Sequence, residues 1–148
     1  MDLAYLTGQR PSDVLGFQES NVKDACLFLM QNKTKKKLRV SLSTELQALI
    51  SRIRARKRTY KIYSTHLIVN EKGQAISVGA MSRRWKKACL AVGIEGLQFR
   101  DLRAKAGTDK AELAGDVRQA QKQLGHESIV MTEHYIRNRK GTKVTPTR

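Results

Sequence analysis

Aromatic side chains are scarce in this 148-residue sequence, Phe, Trp and Tyr together making up 5%. Acidic residues are also few: 13 Asp and Glu stand against 29 Lys and Arg, a formal net charge of +16. No apolar run approaches the roughly 20 residues that span a bilayer, so no transmembrane helix is expected. The opening residues, Met1 to Gly8, lack the basic region and apolar stretch of a signal peptide. The two cysteines, Cys26 and Cys89, have no metal-ligand spacing and read as small buried hydrophobes in a reducing compartment. A cytoplasmic location is therefore expected. The Asp and Glu residues form no ligand cluster, so no metal is expected. Internal repeats and low-complexity linkers are missing as well, which leaves one compact domain, and 40% apolar residues suffice for its core.

What the chain does have is positive charge. Such a surplus speaks of partners rather than fold. Polyphosphates are the obvious class, because each Lys or Arg set on a phosphate releases condensed counterions. A ribosomal-type structural protein, an anionic membrane surface and a merely solvated face are the competing explanations, and composition alone does not choose among them.

Local patterns give an order of elements. Residues 2–6 look like the end of an apolar helix, followed by a turn at Thr7-Gly8. Ser12 can cap a short helix through Asp13-Val14-Leu15. The apolar stretch 25–30 and the alternating stretch 37–42 flank the polar segment 31–36, a β-hairpin with a basic tip. Ser43 caps a helix with the stripe Leu46, Leu49, Ile50 and Ile53, whose basic end (Arg52, Arg54, Arg56, Lys57, Arg58) reads as a solvated terminus. Residues 67–69 suggest a short strand. Ser77 opens a helix with Val78, Met81, Trp85, Ala88, Cys89 and Val92 on one face and Arg83, Arg84, Lys86 and Lys87 around the others. Three short helices follow, near 100–113, from Asp116 to Gly125, and from Ser128 past Tyr135; 141–148 reads as a flexible tail. The expected class is α+β, mostly helical, with a small antiparallel sheet.

Taken singly, the chemically able residues are ordinary. Arg10 could be a surface arginine, Lys33 one of a solvated lysine cluster, Arg103 a helix-face charge, His126 a cap and Tyr135 a core residue. Their order is less ordinary. Thr7-Gly8-Gln9-Arg10 is followed by the hairpin lysine, then by Arg100-Asp101-Leu102-Arg103. Leu124-Gly125-His126 comes next, with Tyr135 nine residues beyond the histidine. This set resembles the tyrosine recombinases, the phage-integrase family, from residue 1 to about Arg139. Leu124 to Ser128 with Met131 to Tyr135 is its most specific part, and Thr7 to Leu15 the second.

The resemblance implies a tyrosine-recombinase catalytic-domain fold over 1–140 and metal-independent, cofactor-free cleavage and rejoining of duplex DNA. Phosphodiester transfer builds charge on the non-bridging oxygens, and arginine forks suit that charge. Arg10 and Arg103 would clamp the scissile phosphate, and Tyr135 would attack it to form a 3′-phosphotyrosine link. Lys33, or Lys35 or Lys36 in the same cluster, would protonate the departing 5′ oxygen. His126 would bond the phosphate or assist proton transfer. Four protomers would act on two duplexes, with a free monomer also possible, in phage or mobile-element integration on the bacterial nucleoid.

Two departures bear on activity. Arg100 stands where the family usually has His, three residues before the second arginine; it can grip phosphate but cannot serve as a base near neutral pH. It is expected as a third phosphate ligand, leaving the proton of Tyr135 to His126 or water. The chain also starts close to Arg10, without the separate helical DNA-binding domain that family members carry. Lys35, Lys36, Arg83, Arg84, Lys86 and Lys87 are candidates for the DNA face on charge alone. The competing functions are a non-catalytic integrase remnant that binds DNA and a type IB topoisomerase-like strand passage.

Overall fold

A computed structural model describes residues 1–140 and 146–147, and only the backbone for residues 137–140. The tail expected over 141–148 thus falls, apart from two residues, outside the described range. Its elements are α1 (Asp2–Thr7), α2 (Pro11–Leu15), β1 (Val22–Lys23), β2 (Cys26–Met30), β3 (Lys37–Ser41), α3 (Thr44–Thr59), α4 (Val78–Ala91), α5 (Asp101–Ala114), α6 (Val117–Leu124) and α7 (Ile129–Lys140). The class is the expected one, mostly helical with a small antiparallel sheet. Among the described residues no helix is long and apolar enough to cross a membrane.

The hairpin forms with Leu27 opposite Val40 and Leu29 opposite Leu38. Strand alternation sends Leu27 and Leu29 into the core. There they meet Leu3, Val14, Phe17, Leu46, Leu49, Ile50, Leu67 and Phe99. The sequence reading missed β1, which pairs with β2 through Lys23 and Cys26. Asp24 and Ala25 between them take φ of 49° and 53°, the positive pair that a two-residue type I′ turn requires. Ala25 is therefore a turn residue rather than the first of a strand.

Other local readings shift for tertiary reasons. Pro11 occupies the first turn of α2 with Arg10 as its N-cap, so the helix begins ahead of Ser12. Ser43 and Ser77 do cap α3 and α4, each accepting from the amide three residues on, at 3.2 Å. The basic end of α3 is not wholly solvated. Lys57 is buried and donates to Glu19 Oε1 (2.8 Å) and to the carbonyls of Ser64 (2.8 Å) and His66 (2.9 Å). Those bonds hold the loop 60–76, where residues 67–69 make no strand; the loop has only isolated bridges, His66 to Gln18 and Val69 to Ala75. On α4 the inward stripe is Met81, Trp85 and Cys89; Val78 and Val92, at the two ends of the helix, and Ala88, to the side of the stripe, stay exposed. Trp85 meets Phe99 edge to face, with centroids 5.7 Å apart, and donates to Leu97 O at 3.0 Å.

Helices α5, α6 and α7 pack closely because α5 offers small residues, among them Ala104, Gly107, Thr108 and Ala111, all buried. A Cβ on Gly107 would lie 2.8 Å from Leu124 Cδ1, so the approach of α6 depends on glycine there. Asp116 caps α6 by accepting from the Arg118 amide at 2.8 Å. This packing fixes the corner between α6 and α7, and with it Leu124, Gly125 and His126.

Candidate active site

Arg10 is set by the short link between α1 and α2, where it has an extended backbone (φ −66°, ψ 152°). Its Nη1 is buried and lies 4.0 Å from Asp13 Oδ2, and neither atom has a hydrogen-bond partner. The other Asp13 oxygen accepts from the Asn32 amide at 2.9 Å, tying α2 to the hairpin turn. A half-buried guanidinium whose buried Nη1 has an unused donor is poised for an anion.

Arg103 projects from the first turn of α5 and is only 4% exposed. Nη1 donates to Gly8 O (2.8 Å) and Nη2 to Leu124 O (2.6 Å), so the side chain joins the arginine loop to the α6–α7 corner. Burial first, then the nearby Arg10 charge, push its pKa down to about 10, while Tyr135 and Asp13 pull the other way. It stays a cation at neutral pH. Arg100 caps the start of α5 and is exposed. With Arg10, Val78, Phe99 and Tyr135 it lines an open cleft of about 390 Å³.

His126 is buried at the α6–α7 corner, its Nδ1 3.0 Å from Thr132 Oγ1 and its ring centroid 5.4 Å from that of Tyr135. Tyr135 is 39% exposed on α7 and faces the cleft. Burial is the main force lowering the His126 pKa to about 4, followed by the charges of Arg103, Arg10 and Lys36. The ring is neutral at pH 7, with one N–H and one bare nitrogen.

That depression predicts a stability profile. The unfolded chain takes up the His126 proton below about pH 6.5, whereas the folded chain resists until about pH 4. The contribution of His126 should be complete above pH 6.5 and lost as pH falls towards 4, on the order of 3 kcal/mol at most. Urea denaturation across that range should show a steeper loss in the wild type than in His126→Asn.

The site residues expected from sequence fall into three groups. Arg10, Arg100 and Tyr135 share the cleft, and Arg103 and His126 are buried within electrostatic reach of Arg10. Among the turn lysines, Lys33 and Lys35 are exposed, while Lys36 is half-buried and its charge reaches His126. Arg83, Arg84, Lys86 and Lys87 are exposed along α4, whose Val78 and Ser82 reach the cleft instead. The sequence reading did not single out Asp13, Thr132, Gln9 or Gln31. Gln9 and Asp13 lie within the motif Thr7 to Leu15 and Thr132 within Met131 to Tyr135, but nothing local marks them as buried partners of the site.

The phage integrase family model matches residues 1–141 of this chain. The chain belongs to the phage integrase family. The integrase of Escherichia phage HK022 is 31% identical over 141 residues, covering 91% of this chain and 39% of that integrase. This member thus spans about two-fifths of the length of the curated relatives it matches. Lambda integrase, solved as a tetramer bound to a Holliday junction, superposes with a TM-score of 0.83 at 24% identity, over 97% of this chain and 43% of that one. XerA recombinase gives 0.77 at 20% identity, over 90% of this chain and 50% of that one. These likenesses establish the tyrosine-recombinase fold for this integrase-family chain.

Proposed function

We propose that residues 1–140 are the catalytic domain of a site-specific recombinase that cleaves and rejoins duplex DNA in the bacterial cytoplasm, in phage or mobile-element integration. The carrying observation is the cleft shared by Arg10, Arg100 and Tyr135, backed by buried Arg103 and His126. Arg10 and Arg103 would stabilise the charge on the non-bridging oxygens, the former through its unpartnered Nη1. As Tyr135 Oη bonds to phosphorus, the bond to the 5′ oxygen breaks, and a turn lysine gives that oxygen its proton. The family resemblance favours Lys33 and proximity to His126 favours Lys36; Lys33→Ala and Lys36→Ala separate them. Electrostatic stabilisation comes from arginines, with no metal or cofactor in the scheme. Lambda integrase is known as a tetramer on a Holliday junction, which supports four protomers acting together here.

The proton of Tyr135 passes to His126 or to water. A phosphate between the arginines would offset the cationic charges that add to burial in keeping His126 neutral. Arg100, exposed at the cleft, serves as a third phosphate ligand. Arg100→Ala should therefore slow strand cleavage by about 10–100-fold while leaving stability nearly unchanged. Normal cleavage by that variant would remove Arg100 from the scheme.

The reading is tested by mixing the protein with labelled, nicked duplex carrying its attachment site and looking on a denaturing gel for label carried by protein. A covalent adduct supports the recombinase. Site binding with no adduct would make the protein a DNA-binding remnant, the reading that Arg100 at a histidine position favours. Relaxation of supercoiled DNA without site preference would indicate the topoisomerase instead.

A further inference from the structure

Two carboxamides are sealed beneath the site. Gln9 and Gln31 are 1% and 0% exposed. Gln31 Nε2 donates to Gln9 Oε1 (2.7 Å) and to Leu124 O (2.9 Å), while its Oε1 accepts from the Thr34 hydroxyl (2.7 Å). Gln9 Nε2 donates to the carbonyls of Thr7 (3.0 Å) and Gln123 (2.8 Å). The Gln31 backbone is engaged too: its N–H donates to Lys36 O at 2.9 Å, and its carbonyl accepts from the Lys35 N–H at 2.8 Å. An apolar pair could fill this space without desolvating two amides. What the amides add is direction, since each bond fixes the orientation of a separate segment.

Three segments meet here: the loop carrying Arg10, the turn carrying Lys33 and Lys36, and the corner carrying His126. Leu124 O is their common node, accepting from both Gln31 and Arg103. Gly125 has φ +68°, and a Cβ on it would lie 2.8 Å from Gln31 Nε2. Glycine ahead of His126 is thus what lets the amide close on the corner. The turn holds Lys33, Lys35 and Lys36, with Lys37 following at the start of β3, and these charges repel one another. A carboxylate could hold it, but would pair with a lysine or with Arg103 and quench the charge the site needs. A neutral amide holds the turn without neutralising those charges.

We propose that Gln31, braced by Gln9, is a positioning residue that sets the lysine-bearing turn against the Arg103–His126 corner, aiming a lysine ammonium at the departing 5′ oxygen. This rests on the recombinase reading above. In the step concerned, the Tyr135 Oη–phosphorus bond forms, the phosphorus–O5′ bond breaks, and the lysine proton goes to O5′.

Gln31→Met keeps the volume and removes the amide bonds. Single-turnover cleavage should be compared on ordinary DNA and on DNA whose bridging 5′ oxygen is sulfur, a leaving group that needs no proton because thiols are far more acidic than alcohols. Gln31→Met should be slowed about 100-fold on the oxygen substrate and should fall within about threefold of wild type on the sulfur one. Thr34→Val, at an exposed residue that loses only the bond to Gln31, should repeat the pattern at about 10-fold and decides the matter if Gln31→Met fails to fold. Equal slowing on both substrates by a folded variant, or wild-type cleavage of ordinary DNA by both variants, overturns the proposal. If the wild type forms no Tyr135-dependent adduct even with the sulfur substrate, the recombinase reading itself falls and takes this inference with it.

Discussion

Tyr135→Phe should abolish covalent capture of DNA, lowering strand cleavage by on the order of 10⁴-fold or more, while site binding and stability stay close to wild type. The substitution removes a single oxygen, the atom that would bond to phosphorus. Tyr135 is partly exposed, and its ring still packs against His126 when the hydroxyl is gone. Nothing buried loses a hydrogen-bond partner, so the denaturation midpoint should move by no more than about 0.5 kcal/mol in equivalent stability. The combination is the point. A residue that merely filled the core would cost stability before activity; a nucleophile costs activity alone. Adduct formation on a denaturing gel, a gel-shift titration and urea denaturation measure the three quantities on one preparation. Undiminished adduct with Tyr135→Phe would move the nucleophile elsewhere.

Arg103→Lys should behave in the opposite manner and injure both properties. The guanidinium reaches two carbonyls distant in sequence, Gly8 O and Leu124 O, from a site only 4% exposed. A lysine carries one nitrogen and cannot serve both with the same geometry. Leaving one buried carbonyl unsatisfied costs about 1–3 kcal/mol, and the loosened corner adds to it, so a total of about 2–4 kcal/mol is expected in urea denaturation. Burial and Arg10 already lower the Arg103 pKa, and would push down a lysine that starts from a lower value. Cleavage should fall by about 10²–10³-fold in the fraction that remains folded, the loss typical of one misplaced donor at a charged transition state. Full stability and full activity in Arg103→Lys would contradict the bridging role drawn from the structure.

Comparing these residues shows how far the chain can be read before it folds. Ser43 and Ser77 were legible as caps because the hydroxyl and the amide it accepts from are three residues apart. The hairpin was legible because alternation and a polar turn are also local. Tyr135 and His126 stand nine residues apart and were legible together, although the 5.4 Å between their rings was not. Lys57 was misread for the complementary reason. Its partners, Glu19, Ser64 and His66, are brought round it by packing, so a charge expected in water is buried instead. β1 was missed because two residues carry no period and exist as a strand only beside β2.

The sequence by itself determined the class of the fold, the order of its elements, the membership of the phage integrase family and the residue types available for phosphoryl transfer. The class and the order of elements follow from local periodicity and turn residues, and the family from its ordered motifs and the match of the family model over residues 1–141. Only the tertiary structure decided that Arg10, Arg100 and Tyr135 share a cleft, that Arg103 bridges two carbonyls, and that Lys36 is the turn lysine whose charge reaches His126. It alone joined Gln31 to Gln9 and Leu124, across separations of 22 and 93 residues. The physical reason is range. Hydrogen bonds and desolvation act over a few ångströms, and which groups come that close is set by how α5, α6 and the hairpin pack, not by their distance along the chain.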